Sequence, residues 1–235
     1  MNEPWRDSAF PFTAPVPCRV RTGPAPDAPL VVLCHGMGED PGRCLADWPA
    51  LAVLPVHMIV PGGPLPHEIR SGGEIRIGRA WYLYDGGQDL FRTTLTRSAA
   101  WLHGLIQRVE ATQGWEPRDR ALVGFSQGAY FGGVVALEHQ DLFGRLVSVS
   151  GRIKLEFAEV PAAGRLRTLV AHGIDDRAVP LDAARSSVEG LRALGYEAEL
   201  LLFPGGHRMT PDRDLRISEW LSGEWNLDDR PFGFR

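Results

Sequence analysis

RALVGFSQGAYFGGVVALEH, residues 120 to 139, decides how the rest of the chain is read. The apolar run 120 to 125 has the length and branching of a buried strand and passes into Ser126 without a turn residue. The Gly, Ala and aromatic segment that follows can start a helix at once. Gly124, Ser126 and Gly128 form a G-x-S-x-G element. Alone that pattern is weak, because 27 glycines and ten serines let it arise by accident. Between a strand and a helix it marks the elbow in which a serine is held in a strained backbone conformation, with small neighbours where strand and helix nearly touch.

Working outward, similar apolar runs recur at 30 to 36, 56 to 62, 145 to 151, 167 to 173 and 198 to 205. Continuous apolar runs describe strands buried on both faces, and helical stretches between them imply parallel crossovers. Leu95, Trp101, Leu102, Leu105, Ile106 and Val109 fall on or near one stripe of a helix over 93 to 113. Further helices are expected over 127 to 139, 182 to 194 and 211 to 222. The fold class is therefore α/β, with a mostly parallel central sheet and helices on both faces. Only about 15 residues separate the strands ending near 151 and beginning near 167, too few for a large cap domain. The interval 62 to 90, rich in Gly and carrying Arg70, Arg76, Arg79, Trp81, Tyr82 and Tyr84, is expected to be a long loop walling a cleft.

Composition bounds the function. The 235 residues are 44% apolar and 23% charged, ordinary for a globular protein with a sizeable core. Length leaves one domain or two. A net charge of -4 gives no reason to expect a nucleic-acid partner. Lys154 is the single lysine, a bias assigned to the coding sequence. No stretch approaches the apolar length of a membrane span, and the N-terminus does not read as a secretory leader, so a cytoplasmic location is expected. Cys18, Cys34 and Cys44 lack metal-ligand or C-x-x-C spacing and are expected to be incidental thiols, leaving no metal site.

A serine hydroxyl needs a base to become a nucleophile, and the base needs an acid that fixes its tautomer. In this fold the chain order is Ser, acid, His. Three histidines follow Ser126. His139 lies late in the helix, and His172 precedes the acidic pair. His207 remains, in a Gly-rich loop just after the last strand. The acid belongs after the preceding strand, where Asp175 and Asp176 both stand; position does not separate them. Two backbone donors should hold the oxyanion: the N–H of Gln127, and that of Met37 in the turn His35-Gly36-Met37-Gly38, with His35 bracing the loop.

LCHGMGED, GFSQGA, AHGIDDRAVP and FPGGHRM, in this order, resemble the L-H-G-x-G-D, G-F-S-Q-G, H-G-x-x-D-x-x-V-P and P-G-x-H segments of the phospholipase/carboxylesterase family of α/β-hydrolases. AWYLYDG resembles a cleft segment of its bacterial members. The resemblance runs from about residue 28 to 222. It implies Ser126 as nucleophile, Asp176 as acid, His207 as base, Met37 and Gln127 as oxyanion donors, and Trp81 and Tyr82 as substrate-binding residues. Two departures stand out: the acidic residue of the first motif is displaced, with Glu39 and Asp40 after Gly38, and the residues before Trp81 are rich in Gly and Arg. The expected activity is cofactor-free hydrolysis of small or single-chain carboxylic esters through an acyl-enzyme. Acyl-thioester or lysophospholipid hydrolysis on the same triad is the alternative, and a non-catalytic binding module on the scaffold is the remoter one. Because the triad must meet at one sheet edge, residues 28 to 235 are expected to form a single domain, with 1 to 27 as coil and an edge strand at 18 to 22. The expected partners are an ester or thioester substrate and at most a second copy of the chain.

Overall fold

The computed structural model describes residues 14–157 and 165–227. A seven-stranded sheet forms the centre: β1 (Cys18–Arg21), β2 (Leu30–Cys34), β3 (His57–Pro61), β6 (Arg120–Phe125), β7 (Arg145–Val149), β8 (Arg167–Gly173) and β9 (Ala198–Phe203), in the spatial order β1-β3-β2-β6-β7-β8-β9. All neighbours are parallel except β1, which runs antiparallel to β3 at one edge. The strand runs are apolar throughout because both faces are covered. Leu30, Val32 and Cys34 enter one core, whereas Val31 and Leu33 enter the other. The first core is closed by α2 (Gln88–Gln113), α3 (Gln127–Glu138) and α4 (Leu181–Ala193), the second by α1 (Pro41–Ala46) and α5 (Pro211–Glu224). This is the doubly covered parallel sheet that crossover helices impose.

On the long helix α2, Leu95, Leu102 and Ile106 are buried, while Trp101, Leu105 and Val109 pack at the margin of the same core. The helix starts earlier than the apolar stripe suggests, at Gln88. α3 is buried on almost every side, which explains its apolar residues all round and the absence of a polar face.

One expectation is corrected. The interval 62 to 90 is not a plain loop: β4 (Leu65–Ser71) and β5 (Glu74–Ala80) form an antiparallel hairpin outside the main sheet. Its two-residue turn is Gly72-Gly73, with φ of 59° and 84°. Positive φ at both central positions matches the right-handed twist of a hairpin, and glycine takes it without steric cost.

The strand order positions the site. The chain steps from β2 to β3 on one side and reaches β6 on the other, so the C-terminal ends of β2 and β6 lie side by side, with Cys34 paired to Gly124. Ligands of open parallel sheets bind outside the carboxyl ends at such a switch point. Ser126 follows β6, and Asp176 and His207 follow β8 and β9 on the same edge.

Candidate active site

Ser126 has φ 52° and ψ −115°, a conformation that costs an L-residue about 1–3 kcal/mol. The strand before it and the helix after it hold it there. Its N–H donates to Val149 O at 2.9 Å, and its carbonyl accepts from Ala129 and Tyr130 in the first turn of α3. Space is as tight as the small residues suggest: a Cβ on Gly128 would stand 2.3 Å from Cys34 O and 2.6 Å from His35 O.

Three side chains from three separate turns meet in a line. Ser126 Oγ donates to His207 Nε2 at 2.8 Å, and His207 Nδ1 donates to Asp176 Oδ2 at 2.8 Å. Asp176 Oδ1 accepts from the Ala178 and Val179 amides, each at 2.9 Å. Burial opposes the charge on Asp176, but the Val179 amide, His207 and the Ala178 amide outweigh it and hold the carboxyl below its ordinary value. An ionised Asp176 fixes the Nδ1–H tautomer and leaves Nε2 free to accept the serine proton. Asp175 points elsewhere, its Oδ2 accepting from Gly205 N at 3.2 Å. His172 is fully buried behind the acid and donates from Nε2 to Val179 O at 2.9 Å, so it braces the acid turn.

The Met37 and Gln127 N–H groups donate to no protein acceptor among the described residues. The turn that carries Met37 is held from several sides. Gly38 N–H donates to Arg79 O, Arg79 N–H donates to Glu39 O, and Arg76 Nη1 donates to Gly38 O. Arg70 pairs with Glu68 on the exposed face, whereas Arg76 and Arg79 belong to this clamp. The displaced acid of the first motif also finds its reason: Glu39 Oε2 accepts from Gly36 N at 3.1 Å, and Asp40 caps α1 through the Gly42 and Arg43 amides.

His35 is fully buried, with Nδ1 donating to Gly36 O at 2.6 Å and Nε2 accepting from Gly63 N at 2.8 Å. Burial pushes its titration down to about 4, so it stays neutral and ties the turn to the base of the hairpin. An unfolded histidine titrates near 6.5, so between these values the unfolded chain binds the extra proton and stability falls as pH drops. We expect the urea midpoint to fall from pH 6.5 toward pH 4. The His35→Asn variant, weaker at pH 7, should lose less over that window; an equal loss in both proteins would remove His35 from the cause.

Trp81 corrects an expectation. It is 0% exposed and offers no surface to a substrate. Its indole N–H donates to His35 O at 2.9 Å and its ring stacks on Phe131 at 4.7 Å. The Gln127 side chain completes the tie, Oε1 accepting from Trp81 N at 2.9 Å and Nε2 donating to Tyr82 O at 3.0 Å. Trp81 thus supports the wall from behind. Tyr82 is half-buried with its ring edge-on to Phe91 at 4.8 Å, and Phe91 meets Phe157 at 5.1 Å, so the buried Phe91 joins two partly exposed aromatic rings. Burial raises the Tyr82 hydroxyl, keeping it neutral.

No motif in the sequence points to Arg213. This residue of α5 is 1% exposed, and its guanidinium donates to Pro204 O, Gly206 O and Arg208 O around His207. Among the described residues no cluster of three metal-ligating side chains occurs, and no helix is long and apolar enough to cross a membrane.

The chain matches the phospholipase/carboxylesterase family over residues 18–222. It is 31% identical over 210 residues to acyl-protein thioesterase 1 of Gibberella zeae, covering 81% of this chain and 88% of the relative. Among solved structures it resembles a carboxylesterase of Mesorhizobium loti, with TM-score 0.75 and 18% identity over 88% of this chain and 95% of that one. A carboxylesterase of Bacillus cereus gives TM-score 0.73 and 12% identity, covering 88% and 94%. Zea mays acyl-protein thioesterase 2 gives 0.67 and 20%, covering 88% and 98%. At these identities the structural likeness speaks for the fold, and the family match carries the class. The chain belongs to the phospholipase/carboxylesterase family of α/β-hydrolases, and its class of reaction is ester hydrolysis.

Proposed function

We propose that Ser126 is the nucleophile, His207 the general base and acid, and Asp176 the acid that orients it, in a serine esterase that forms a covalent acyl-enzyme. The line of two 2.8 Å hydrogen bonds from Ser126 through His207 to Asp176 carries this reading. His207 takes the Ser126 proton as Oγ adds to the carbonyl carbon. The negative oxygen is held by the N–H groups of Met37 and Gln127, a contribution of about 3–4 kcal/mol per donor in comparable sites. Collapse expels the alcohol or thiol, which leaves with the proton from His207. A water then repeats both steps and frees the acid product.

The partly exposed rings of Tyr82 and Phe157, joined through the buried Phe91, support a small or single-chain acyl group. The 31% identity to an acyl-protein thioesterase favours thioesters as a second class of substrate on the same machinery. A cytoplasmic setting goes with this reading and is supported by three thiols that form no disulfide. The test is a chain-length series of p-nitrophenyl esters against matched acyl-thioesters, with fluorophosphonate labelling alongside. Labelling at Ser126 with turnover of at least one series is expected. Absence of both would leave a scaffold without chemistry, and a thioester series favoured throughout would make the enzyme a thioesterase.

A further inference from the structure

We infer that Arg213 is a positioning residue of the triad: its buried guanidinium holds the loop that carries His207 and so sets where the imidazole stands. The inference rests on the assignment of His207 as the general base.

The geometry is specific. Arg213 lies in the first turn of α5, where Thr210 Oγ1 accepts its N–H at 3.4 Å and Pro211 opens the helix. From there the side chain runs back under the loop 204 to 208. Nη1 donates to Gly206 O at 3.0 Å and to Arg208 O, and Nη2 donates to Pro204 O at 3.2 Å. Gly206 and Arg208 flank His207, so the carbonyls on both sides of the base are fixed by one planar group. The loop is also tied by Asp175, whose N–H donates to Gly205 O at 3.0 Å and whose Oδ2 accepts from Gly205 N, and by Arg208 N–H donating to Gly206 O at 3.0 Å. Its sequence PGGHR includes two glycines, and Gly205 sits at φ 93°. The far side is closed by the end of β8, where a Cβ on Gly173 would stand 2.4 Å from Gly205 O and 2.8 Å from Arg213 Nη2.

A guanidinium suits this role because it presents five donors in a rigid fork, whereas an ammonium is a point charge on a flexible stem. The side chain is almost completely buried and makes no salt bridge among the described residues, taking carbonyl dipoles instead. Burying a charge on that basis is costly unless the hydrogen bonds are made. Burial acts against the Arg213 charge, and the Asp176 carboxylate is the largest favourable charge acting on it.

The charged and titratable groups around His207 come from each neighbouring element. Asp176 and Asp175 lie in the turn after β8, and His172 at the end of β8 stands 3.7 Å from Asp176. Arg208 is in the loop itself and Asp212 precedes Arg213, both acting on its charge. Tyr130 on α3 feels Asp176. Among these, Arg213 combines positive charge, near-complete burial and direct hydrogen bonds to the backbone of the loop.

Two substitutions test the position. Arg213→Met removes every donor, and Arg213→Lys keeps a charge but cannot span three carbonyls. With a short-chain p-nitrophenyl ester, both variants should lose about 10- to 100-fold in kcat, because displacement of a catalytic group by about an ångström costs that much. KM should change little. Circular dichroism at the assay temperature gives the folded fraction. If Arg213→Met does not fold, the Lys variant decides: a kcat within twofold of wild type per folded molecule overturns the inference. For a folded Arg213→Met, a kcat within twofold of wild type, or a loss confined to KM, overturns it as well. Inactive wild-type protein, or activity retained by Ser126→Ala, would sink the esterase reading instead.

Discussion

Replacing Ser126 with alanine is expected to reduce ester hydrolysis by at least about 10⁴-fold in kcat/KM, the scale at which removal of a triad nucleophile leaves only binding and oxyanion stabilisation. The expectation follows from the chain of proton acceptors. Without Oγ there is no group on the Nε2 side of His207 to add to the carbonyl carbon, and a water there would have to be placed by chance. Structural damage should be small. The hydroxyl is bonded only to His207, and the strained backbone at this position is fixed by Val149 O and the first turn of α3, neither of which involves the side chain. The variant should therefore fold with an unchanged near-ultraviolet spectrum and lose fluorophosphonate labelling. Appreciable hydrolysis by Ser126→Ala, at more than about one per cent of wild type, would show that another group carries the reaction.

What the sequence made legible was whatever one element or one motif expresses locally. The apolar runs name the parallel strands because a strand covered on both faces has no polar side to interrupt it, as at 30 to 34. Ser126 and His207 could be found because each sits at a fixed place relative to a strand end. The hairpin β4–β5 was signalled by Gly72-Gly73 between a segment carrying Ile69 and one with Ile75 and Ile77 in alternation, but its largely polar strands carry no core pattern, so the interval reads as a loop. Trp81 looks like a cleft residue from its neighbours alone. Its burial depends on Phe131 and on His35 O, which come from distant parts of the chain. Arg213 was the least legible. In PDRDLRISEW it looks like one more charge on a solvated helix start, and its burial arises only when the loop after β9 folds across it. The difference is physical: periodicity reports the solvent boundary of one element, whereas a buried polar tie belongs to two or three at once.

The choice between Asp175 and Asp176 shows the same boundary and leads to a second large effect. Asp176→Asn should lower kcat by about 10⁴-fold, while Asp175→Asn should change it by less than about threefold. An asparagine at 176 keeps the shape but can face His207 Nδ1 with its NH₂ group, which favours a proton on Nε2 and removes the acceptor for the Ser126 proton. It also withdraws the negative charge that stabilises the imidazolium formed during attack. Position 175 plays a different part, since its Oδ2 accepts from Gly205 N and an asparagine oxygen can do the same. The two variants also differ in acid. The folded-state value for Asp176 lies below the ordinary carboxylate range, so its contribution to stability is present above the unfolded value near 3.9 and is lost as pH falls through the folded one. In Asp176→Asn that part of the acid dependence should vanish, and the folded protein should be weaker than wild type at pH 7 but converge with it at low pH. Measuring kcat and urea midpoints for both variants checks each half. A large loss in Asp175→Asn with a small one in Asp176→Asn would transfer the acid to position 175 and would require the turn after β8 to rearrange in solution.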